Sequence, residues 1–571
     1  MASNLSRIPM PGRRLLVLAV LALSLPTPAA AQHFPSNDDL RVMLRYLVED
    51  GEAAGIVLGL LEADGSTRIV SFGSAGPAGR PIGPRSVFEI GSINKTFTGT
   101  LLADMVAKGE VALADPISKY LPQGVAAPKH GSREITLLDL ATHHSGLPRL
   151  PDNLKPADPA NPYADYTIEK LYAFLSAHQL RREPGSAPEY SNLGMGLLGH
   201  LLARASGRSY VDLVRQRILD PLGMTMTGYA LDGEIATWMT KGHDAKGSVV
   251  PYWFATETIQ GAGGLRSTVE DMLKYLKANV GAPATDLQRA MRVAHKVHKS
   301  VEGGAIGLAW QMRSYQGRTL ITHGGGTAGF TTMVSFDPDK RVGFVMLVNQ
   351  GQFQDDVGDD FLRRGPPLAI PEVAVPRAVL EKYAGEYEVA PGRTFVVRLE
   401  SDGALTFQVP GNVRFRLYAE SETKFFTKRA PWRVTFTKAI VGDEIVGLDA
   451  DLEGTPRSGK KVSSGGPPPR VVAGNAIPEL PVTAADIARY EGTYTIETLD
   501  KTLDLRVFGE NGQLKVHPAN QNITRLLSVG NHQFVLDADN RIRLVFTVVN
   551  GRAESLTLHQ GGGAYSGKRK Q

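Results

Sequence analysis

The chain has 571 residues, 42% of them apolar, with 63 basic against 58 acidic side chains, a formal charge of +5 and no cysteine. That length exceeds one ordinary core and favours roughly three to four domains, in a composition that is globular and not disordered. The lack of cysteine excludes a disulfide framework, a thiol nucleophile and a cysteine-held metal.

Residues 1–31 read as a leader. Arg7, Arg13 and Arg14 precede an apolar run from Leu15 to Leu25, and small residues end at Ala29-Ala30-Ala31. This is the pattern of a secretory signal peptide cleaved near Ala31, so the protein is expected to be exported, periplasmic or secreted. Arg13-Arg14 is read as an ordinary basic leader in preference to a twin-arginine signal. The apolar run is short for a membrane span and no later segment approaches roughly 20 apolar residues, so no membrane span is expected. Cleavage removes three arginines and no acid, taking the charge from +5 to +2. A nucleic-acid partner then has no compositional support.

From about residue 38 to 361 helix-like and strand-like segments alternate. Ile56–Leu61 and Arg68–Phe72 read as two strands around the turn Ala63-Asp64-Gly65. After Ser92 a helix is expected, with Phe97, Leu101, Leu102 and Met105 at three- and four-residue spacing, and another after Asn192 with Leu197, Leu198, Leu201 and Leu202. Ser267-Thr268-Val269-Glu270 reads as a capping box opening a further helix. Thr331–Phe336 and Val342–Val348 read as strands joined at Asp337-Pro338-Asp339-Lys340. The mixture predicts an α+β or α/β architecture.

A proline-rich linker, Gly365 to Pro376, ends this region. Beyond it an internal repeat appears. Tyr383-Ala384-Gly385-Glu386-Tyr387 recurs as Tyr490-Glu491-Gly492-Thr493-Tyr494, the turn at Asp402-Gly403 recurs at Asn511-Gly512, and Phe436 recurs as Phe546. A second linker, Ser463 to Pro481, separates the copies. Each copy predicts a small antiparallel barrel or sandwich of about eight short strands. The expected division is a leader at 1–31, a hydrolase domain at 36–365 and two β repeats at 377–462 and 482–571.

Three short motifs carry chemistry: Ser92-Ile93-Asn94-Lys95, then Tyr190-Ser191-Asn192, then His323-Gly324-Gly325. A four-residue pattern fixing two positions arises about once or twice by chance in a chain this long, and Ser458 with Lys461, and His144-Ser145-Gly146, are such decoys here. Order and local setting supply the specificity. Ser92 and Lys95 lie three apart at a helix start and share a face. A Lys95 buried enough to lose its proton would be the base that activates the serine hydroxyl. Tyr190 leaves a Pro- and Gly-rich loop, where a phenol can shuttle a proton if neighbouring cations depress its pKa, and Asn192 can bond both a lysine and a substrate amide. His323-Gly324-Gly325-Gly326 is expected just before a strand, where backbone without side chains admits a substrate alongside and the N–H near Gly326 joins that of Ser92 as an oxyanion hole.

With these residues in view, Phe88–Phe97 resembles the active-serine segment of class C β-lactamases. Ile135–Leu140, Ser145–Pro148, Pro184–Leu201, Gly263–Thr268 and His323–Asn349 continue the resemblance over most of residues 36 to 362. It implies an antiparallel sheet flanked by helices with an all-helical subdomain, Ser92 as the acylated nucleophile, Lys95 and Tyr190 as its proton handlers, and Asn192, His323, Gly325 and Gly326 as substrate-binding residues. No cofactor and no metal are implied. The third motif departs from the family's Lys-Thr-Gly, losing a permanent cation and a hydroxyl. H-x-G versions are similar to D-aminopeptidases, other D-amino-acid peptidases and esterases, and the β repeats resemble the lipocalin-like domains of such relatives, where one can reach over the active site. The expected function is acyl transfer to Ser92 and hydrolysis of D-residue peptides, amides or cell-wall fragments, in the manner of a D-aminopeptidase or a D-Ala carboxypeptidase. β-Lactam hydrolysis and carboxylester hydrolysis stand as alternatives, with peptidoglycan as a candidate partner. Of a different class is a non-catalytic penicillin- or peptidoglycan-binding protein. An α/β-hydrolase is disfavoured because no G-x-S-x-G elbow occurs. Metal catalysis would rest only on the pairs His143-His144 and His295 with His298, neither with an acidic third ligand.

Overall fold

The computed structural model describes residues 32–570 apart from 77–79, 354–356, 365–369, 392, 410–413, 464–480, 498–501, 519–522, 531, 537–541 and 561–562. The leader, the start of the first linker and most of the second therefore lie outside the described residues.

An eight-stranded antiparallel sheet organises the first region. Its strands are β1 (Gly55–Leu61), β2 (Thr67–Gly73), β3 (Lys299–Val301), β4 (Gly304–Ile306), β5 (Gln311–Tyr315), β6 (Arg318–Gly326), β7 (Thr331–Asp337) and β8 (Val342–Val348). They run across the sheet in the order β2-β1-β8-β7-β6-β5-β4-β3. Strand β1 is buried on both faces, so it reads as a continuous apolar run and its two-residue period appears only in what each side chain meets. Ile56, Leu58 and Leu60 join the core under helix α1 (Asn37–Glu49), together with Leu40, Leu44 and Leu47. Val57 and Leu61 join the larger core on the opposite face.

That larger core encloses helix α2 (Asn94–Ala107). One apolar stripe was expected here, but every residue from Asn94 to Met105 is buried, because α2 runs between the sheet and the all-helical part and has no solvent face. Helix α3 (Asn192–Ser206) packs in the same core. Helix α4 (Val269–Val280) is capped one residue later than expected: Thr268 accepts the Asp271 N–H at 3.2 Å. Ser267 belongs instead to a short strand, Arg266–Thr268, paired with Val87–Glu89.

Helix α5 (Val357–Arg364) returns to the α1 side of the sheet, placing Phe361 and Leu362 in that core. Each repeat then opens with a short helix, α6 (Arg377–Tyr383) and α7 (Ala484–Tyr490), followed by a closed barrel of eight antiparallel strands in sequence order. Barrel 1 runs from β9 (Gly385–Ala390) to β16 (Pro456–Ser463), and barrel 2 from β17 (Gly492–Glu497) to β24 (Gly563–Arg569). Closure leaves no unpaired edge. The repeated residues do the same work in both: the Tyr387 hydroxyl donates to Tyr383 O at 2.6 Å and the Tyr494 hydroxyl to Tyr490 O at 2.8 Å. Phe436 and Phe546 pack against these tyrosines from inside each barrel.

Barrel 1 docks on α1 and α5 through ion pairs. Arg414 bonds Asp50 at 2.9 Å, with its own barrel's Glu400 at 2.7 Å, and lies over the Tyr46 ring. Arg45 meets Asp402 at 2.5 Å, Lys428 meets Asp39 at 3.0 Å and Arg429 meets Asp360 at 3.0 Å. These contacts lie on the face of the sheet opposite α2, away from the expected site.

Candidate active site

Chain geometry around Ser92 is set by one glycine. Gly91 has φ +52° and a Cβ there would lie 2.6 Å from Gly326 N, so only glycine permits the first turn, Gly91–Ile93, to press against the end of β6. Lys95 follows on the next turn and is wholly buried. Its Nζ lies 2.8 Å from Ser92 Oγ and 2.9 Å from Ala262 O. Burial, and then the charge of Arg149, hold the Lys95 ammonium well below the ordinary lysine range. A neutral amine keeps its N–H to Ala262 O and turns its lone pair to the serine hydroxyl.

Helix α3 begins at its cap, Ser191, whose Oγ accepts the Gly194 N–H at 2.8 Å and donates to Pro148 O at 2.7 Å. Tyr190 precedes that cap. Its ring centroid lies 4.9 Å from Lys95 Nζ, 5.1 Å from the Arg149 guanidinium and 4.5 Å from the His143 ring. The condition that cations depress its pKa is not met: burial raises it, and the bond to Ser92 and the Arg149 charge offset that only in part. Tyr190 is a protonated phenol in the free protein. Asn192 also differs from expectation. Lys95 bonds Ser92 and Ala262 O, while Asn192 bonds the Tyr163 hydroxyl and leaves its Oδ1 buried without a partner.

The His323 motif lies inside a strand, not ahead of one: β6 runs to Gly326 and pairs with β7 as His323↔Val334, Gly325↔Thr332 and Gly326↔Thr331. On the other side, pairing with β5 stops at Thr322. Thr327 N–H donates to Phe330 O, which sets the antiparallel phase so that Gly325 faces β7 while Gly324 and Gly326 turn their polar groups to the open side. A Cβ on Gly325 would meet Ile90 O at 2.1 Å, whereas one on Gly326 would meet nothing within 4 Å. Gly325 thus seats the strand against the serine segment, and Gly326 borders open space beside Ser92.

His323 is buried, with Nδ1 2.7 Å from Gly324 O. A carbonyl only accepts, so Nδ1 carries the proton and Nε2, buried and unpartnered, is an acceptor. Burial first and Lys95 second lower its pKa to about 3. His143 takes the complementary form. It sits at φ +60° with Nδ1 accepting the Ser191 N–H at 3.2 Å, so its unpartnered Nε2 carries the proton. In the sequence His143 stands out only as half of a metal pair with His144, whose Nδ1 bonds Thr142 O. Among the described residues no group of three or more histidines and acids is arranged to hold a metal.

A cavity beside Ser92 is lined by Asn192, Tyr163, Trp253, Ala262, Gly263 and Gly326. Of these, Tyr163 and Trp253 went unnoticed in the sequence because they lie in loops with no motif around them. Arg149 was missed too, although it directly follows Leu147-Pro148 in a segment that carried the family resemblance.

A serine at a helix start, bonded to a buried amine and bordered by an open strand edge, defines a serine acyl hydrolase built on an antiparallel sheet. The chain belongs to the β-lactamase family, whose model, described as Beta-lactamase, matches residues 41–365. The D-alanyl-D-alanine-carboxypeptidase/endopeptidase AmpH of Escherichia coli (strain K12) is 31% identical over 390 residues, which cover 63% of this chain and 99% of that protein. A β-lactamase of Pseudomonas fluorescens is 27% identical over 340 residues, covering 53% and 90%. In shape the chain is similar to the β-lactamase/D-alanine carboxypeptidase from Pseudomonas syringae, with a TM-score of 0.50 at 24% identity over 55% of this chain and 94% of that one. The family match ends where the proline-rich linker begins, so both barrels lie beyond it.

Proposed function

We propose that the protein hydrolyses amides and esters next to D-residues, cell-wall peptides above all, by a D-Ala carboxypeptidase or D-aminopeptidase reaction through an acyl-enzyme at Ser92. The observation that carries this is the 2.8 Å contact between Ser92 Oγ and a fully buried Lys95 whose electrostatic neighbours include no carboxylate. An ammonium there has no counter-ion, so the neutral base is the resting form.

In this mechanism Lys95 Nζ takes the Ser92 proton as Oγ bonds to the carbonyl carbon. The oxyanion is held by the N–H groups of Ser92 and Gly326. The Tyr190 hydroxyl donates its proton to the leaving nitrogen as the C–N bond breaks, and the Lys95 ammonium restores that proton to the phenolate. Water then attacks the acyl carbon, losing its proton to the same pair, and Ser92 is released. Asn192 Oδ1 and His323 Nε2 accept N–H groups of a substrate lying along the open side of β6.

The neutral His323 supports peptide or ester turnover over β-lactam turnover, because a β-lactam carboxylate finds no cation in the third motif. The division at 36–365, 377–462 and 482–571, and export after cleavage near Ala31, belong to the same reading. It is tested by labelling with a fluorophosphonate and a fluorescent penicillin, mapping any adduct by mass, and assaying D-Ala peptides, D-amino-acid amides, p-nitrophenyl esters and a chromogenic cephalosporin with wild type and Ser92→Ala. We expect an adduct at Ser92 and ester turnover that Ser92→Ala abolishes. Absence of any adduct, with function unchanged in Ser92→Ala, would instead point to a binding protein, and cephalosporin turnover far above ester turnover would overturn the substrate assignment.

A further inference from the structure

Arg149 lies beside Tyr190 without a counter-charge among the described residues. It is solvent-exposed, its guanidinium lies over the Tyr190 ring at 5.1 Å, and its side chain has no hydrogen-bond or ion-pair partner among the described residues. Its backbone is nonetheless fixed to the second motif, since Arg149 O accepts the N–H groups of Asn192 at 3.0 Å and Leu193 at 3.2 Å. Other exposed arginines among the described residues, Arg181 and Arg313 for example, also lack a partner; Arg149 differs from them in lying over the ring of Tyr190. An unpaired guanidinium held one aromatic ring away from the nucleophile is an available anion site, and a carboxylate is the anion its planar fork fits best.

We propose that Arg149 is the carboxylate-binding residue of this site, taking the free carboxylate that lies beside the scissile bond of the substrate, the role for which the third motif offers no cation. The positive charge has moved from the strand to the loop that anchors Tyr190. His323 is left as a neutral acceptor, and Arg149 approaches from the solvent side, where it keeps its charge without the cost of burial. The inference rests on the acyl-enzyme reading above and deepens it: among the amides and esters turned over, those with a carboxylate next to the leaving group are preferred, a peptide C-terminus above all.

The test compares matched substrates: an N-acyl-D-Ala-D-Ala free acid against its C-terminal amide, and a cephalosporin against its carboxylate methyl ester. Each is assayed with wild type, Arg149→Ala and Arg149→Lys. Because Arg149 also acts on Lys95, absolute rates for both members of a pair shift together, and the ratio of their kcat/KM values isolates carboxylate recognition. In wild type the acid is preferred by about 10- to 100-fold, as one charge-assisted contact provides. Arg149→Ala brings the ratio near one, mainly through KM, and Arg149→Lys restores part of it. The pair that responds identifies the source of the carboxylate. Acylation at Ser92 with no acid preference in either pair, or with a preference that survives Arg149→Ala, overturns the assignment and leaves the wider reading intact. Absence of any Ser92 adduct in wild type removes both.

Discussion

Two charged clusters lie on opposite faces of the same sheet, and they are built to opposite rules. In the dock between barrel 1 and helices α1 and α5, Arg414, Arg45, Lys428 and Arg429 each meet a carboxylate at 3.0 Å or less. Around Ser92, Lys95 and the two buried histidines have no carboxylate among their hydrogen-bond partners, and Arg149 is unpaired. Paired charge ties two bodies together and leaves pKa values where they serve cohesion. Unpaired, desolvated nitrogen is costly to bury, and in the proposed mechanism the return on that cost is a base that is neutral at rest.

The contrast is sharpest in Lys95→Met. Activity should fall by about 10⁴-fold or more, since on the proposed mechanism Ser92 loses its proton acceptor, while stability rises by about 1–2 kcal/mol because a desolvated amine gives way to a side chain that suits the core. Lys95 is depressed in the folded state, so the unfolded chain binds the extra proton. Wild-type stability therefore climbs with pH toward the unfolded lysine value of about 10.4, and the gap to the variant narrows as pH rises. Rates together with thermal melts across pH check both parts. A destabilised variant would mean that Lys95 is a cohesive group after all.

Gly91→Ala strikes the same region through backbone alone. The added methyl meets Gly326 N, so the serine turn and the strand separate and kcat falls by about 10²- to 10³-fold, as for loss of an oxyanion donor. Steady-state kinetics of the ester reaction measure it, and a change confined to KM would contradict the placement of Gly326.

Arg414→Met should do the reverse. Its side chain is 9% exposed and removing it leaves Asp50 and Glu400 without their cation, so stability falls by about 3 kcal/mol while ester kcat at a permissive temperature stays within about twofold of wild type. Denaturant titration beside the ester assay separates the two. An equal loss of kcat would show that the dock communicates with the site.

These two clusters also differ in how far the sequence foretold them. The strands β1, β2, β7 and β8, the helices after Ser92 and Asn192, and both eight-stranded barrels follow from local periodicity and from the 107- to 110-residue repeat offset, because each is encoded within a few neighbouring residues. Ser92, Lys95 and Tyr190 were legible as an ordered trio. What was not legible depends on burial or on distant partners. The direction of the Tyr190 pKa comes from packing that no motif records, and the dock pairs Asp39 and Asp50 with Lys428 and Arg414, more than 360 positions away in sequence. The run of glycines after His323 looks like a loop ahead of a strand, yet the ladder to β7 carries β6 through all of them.

The smallest effect expected is a displacement of the pH profile, and it divides the site's own cations by whether they carry charge at working pH. In the proposed mechanism ester turnover requires neutral Lys95, so the rate is expected to rise with pH through the Lys95 pKa and then level, with the alkaline limb above the ordinary phenol range because burial holds the Tyr190 proton. His323, with its pKa lowered to about 3, is uncharged over the whole acid limb and exerts no repulsion on Lys95 there. His323→Gln should therefore lower the plateau without moving the limb. The Arg149 guanidinium helps to keep Lys95 neutral by repulsion; Arg149→Ala raises the Lys95 pKa, shifts the limb to higher pH and costs about threefold in rate below the midpoint. A limb that moves with His323 and not with Arg149 would mean that the histidine is the charged partner, and the neutral third motif on which the substrate assignment turns would have to be given up.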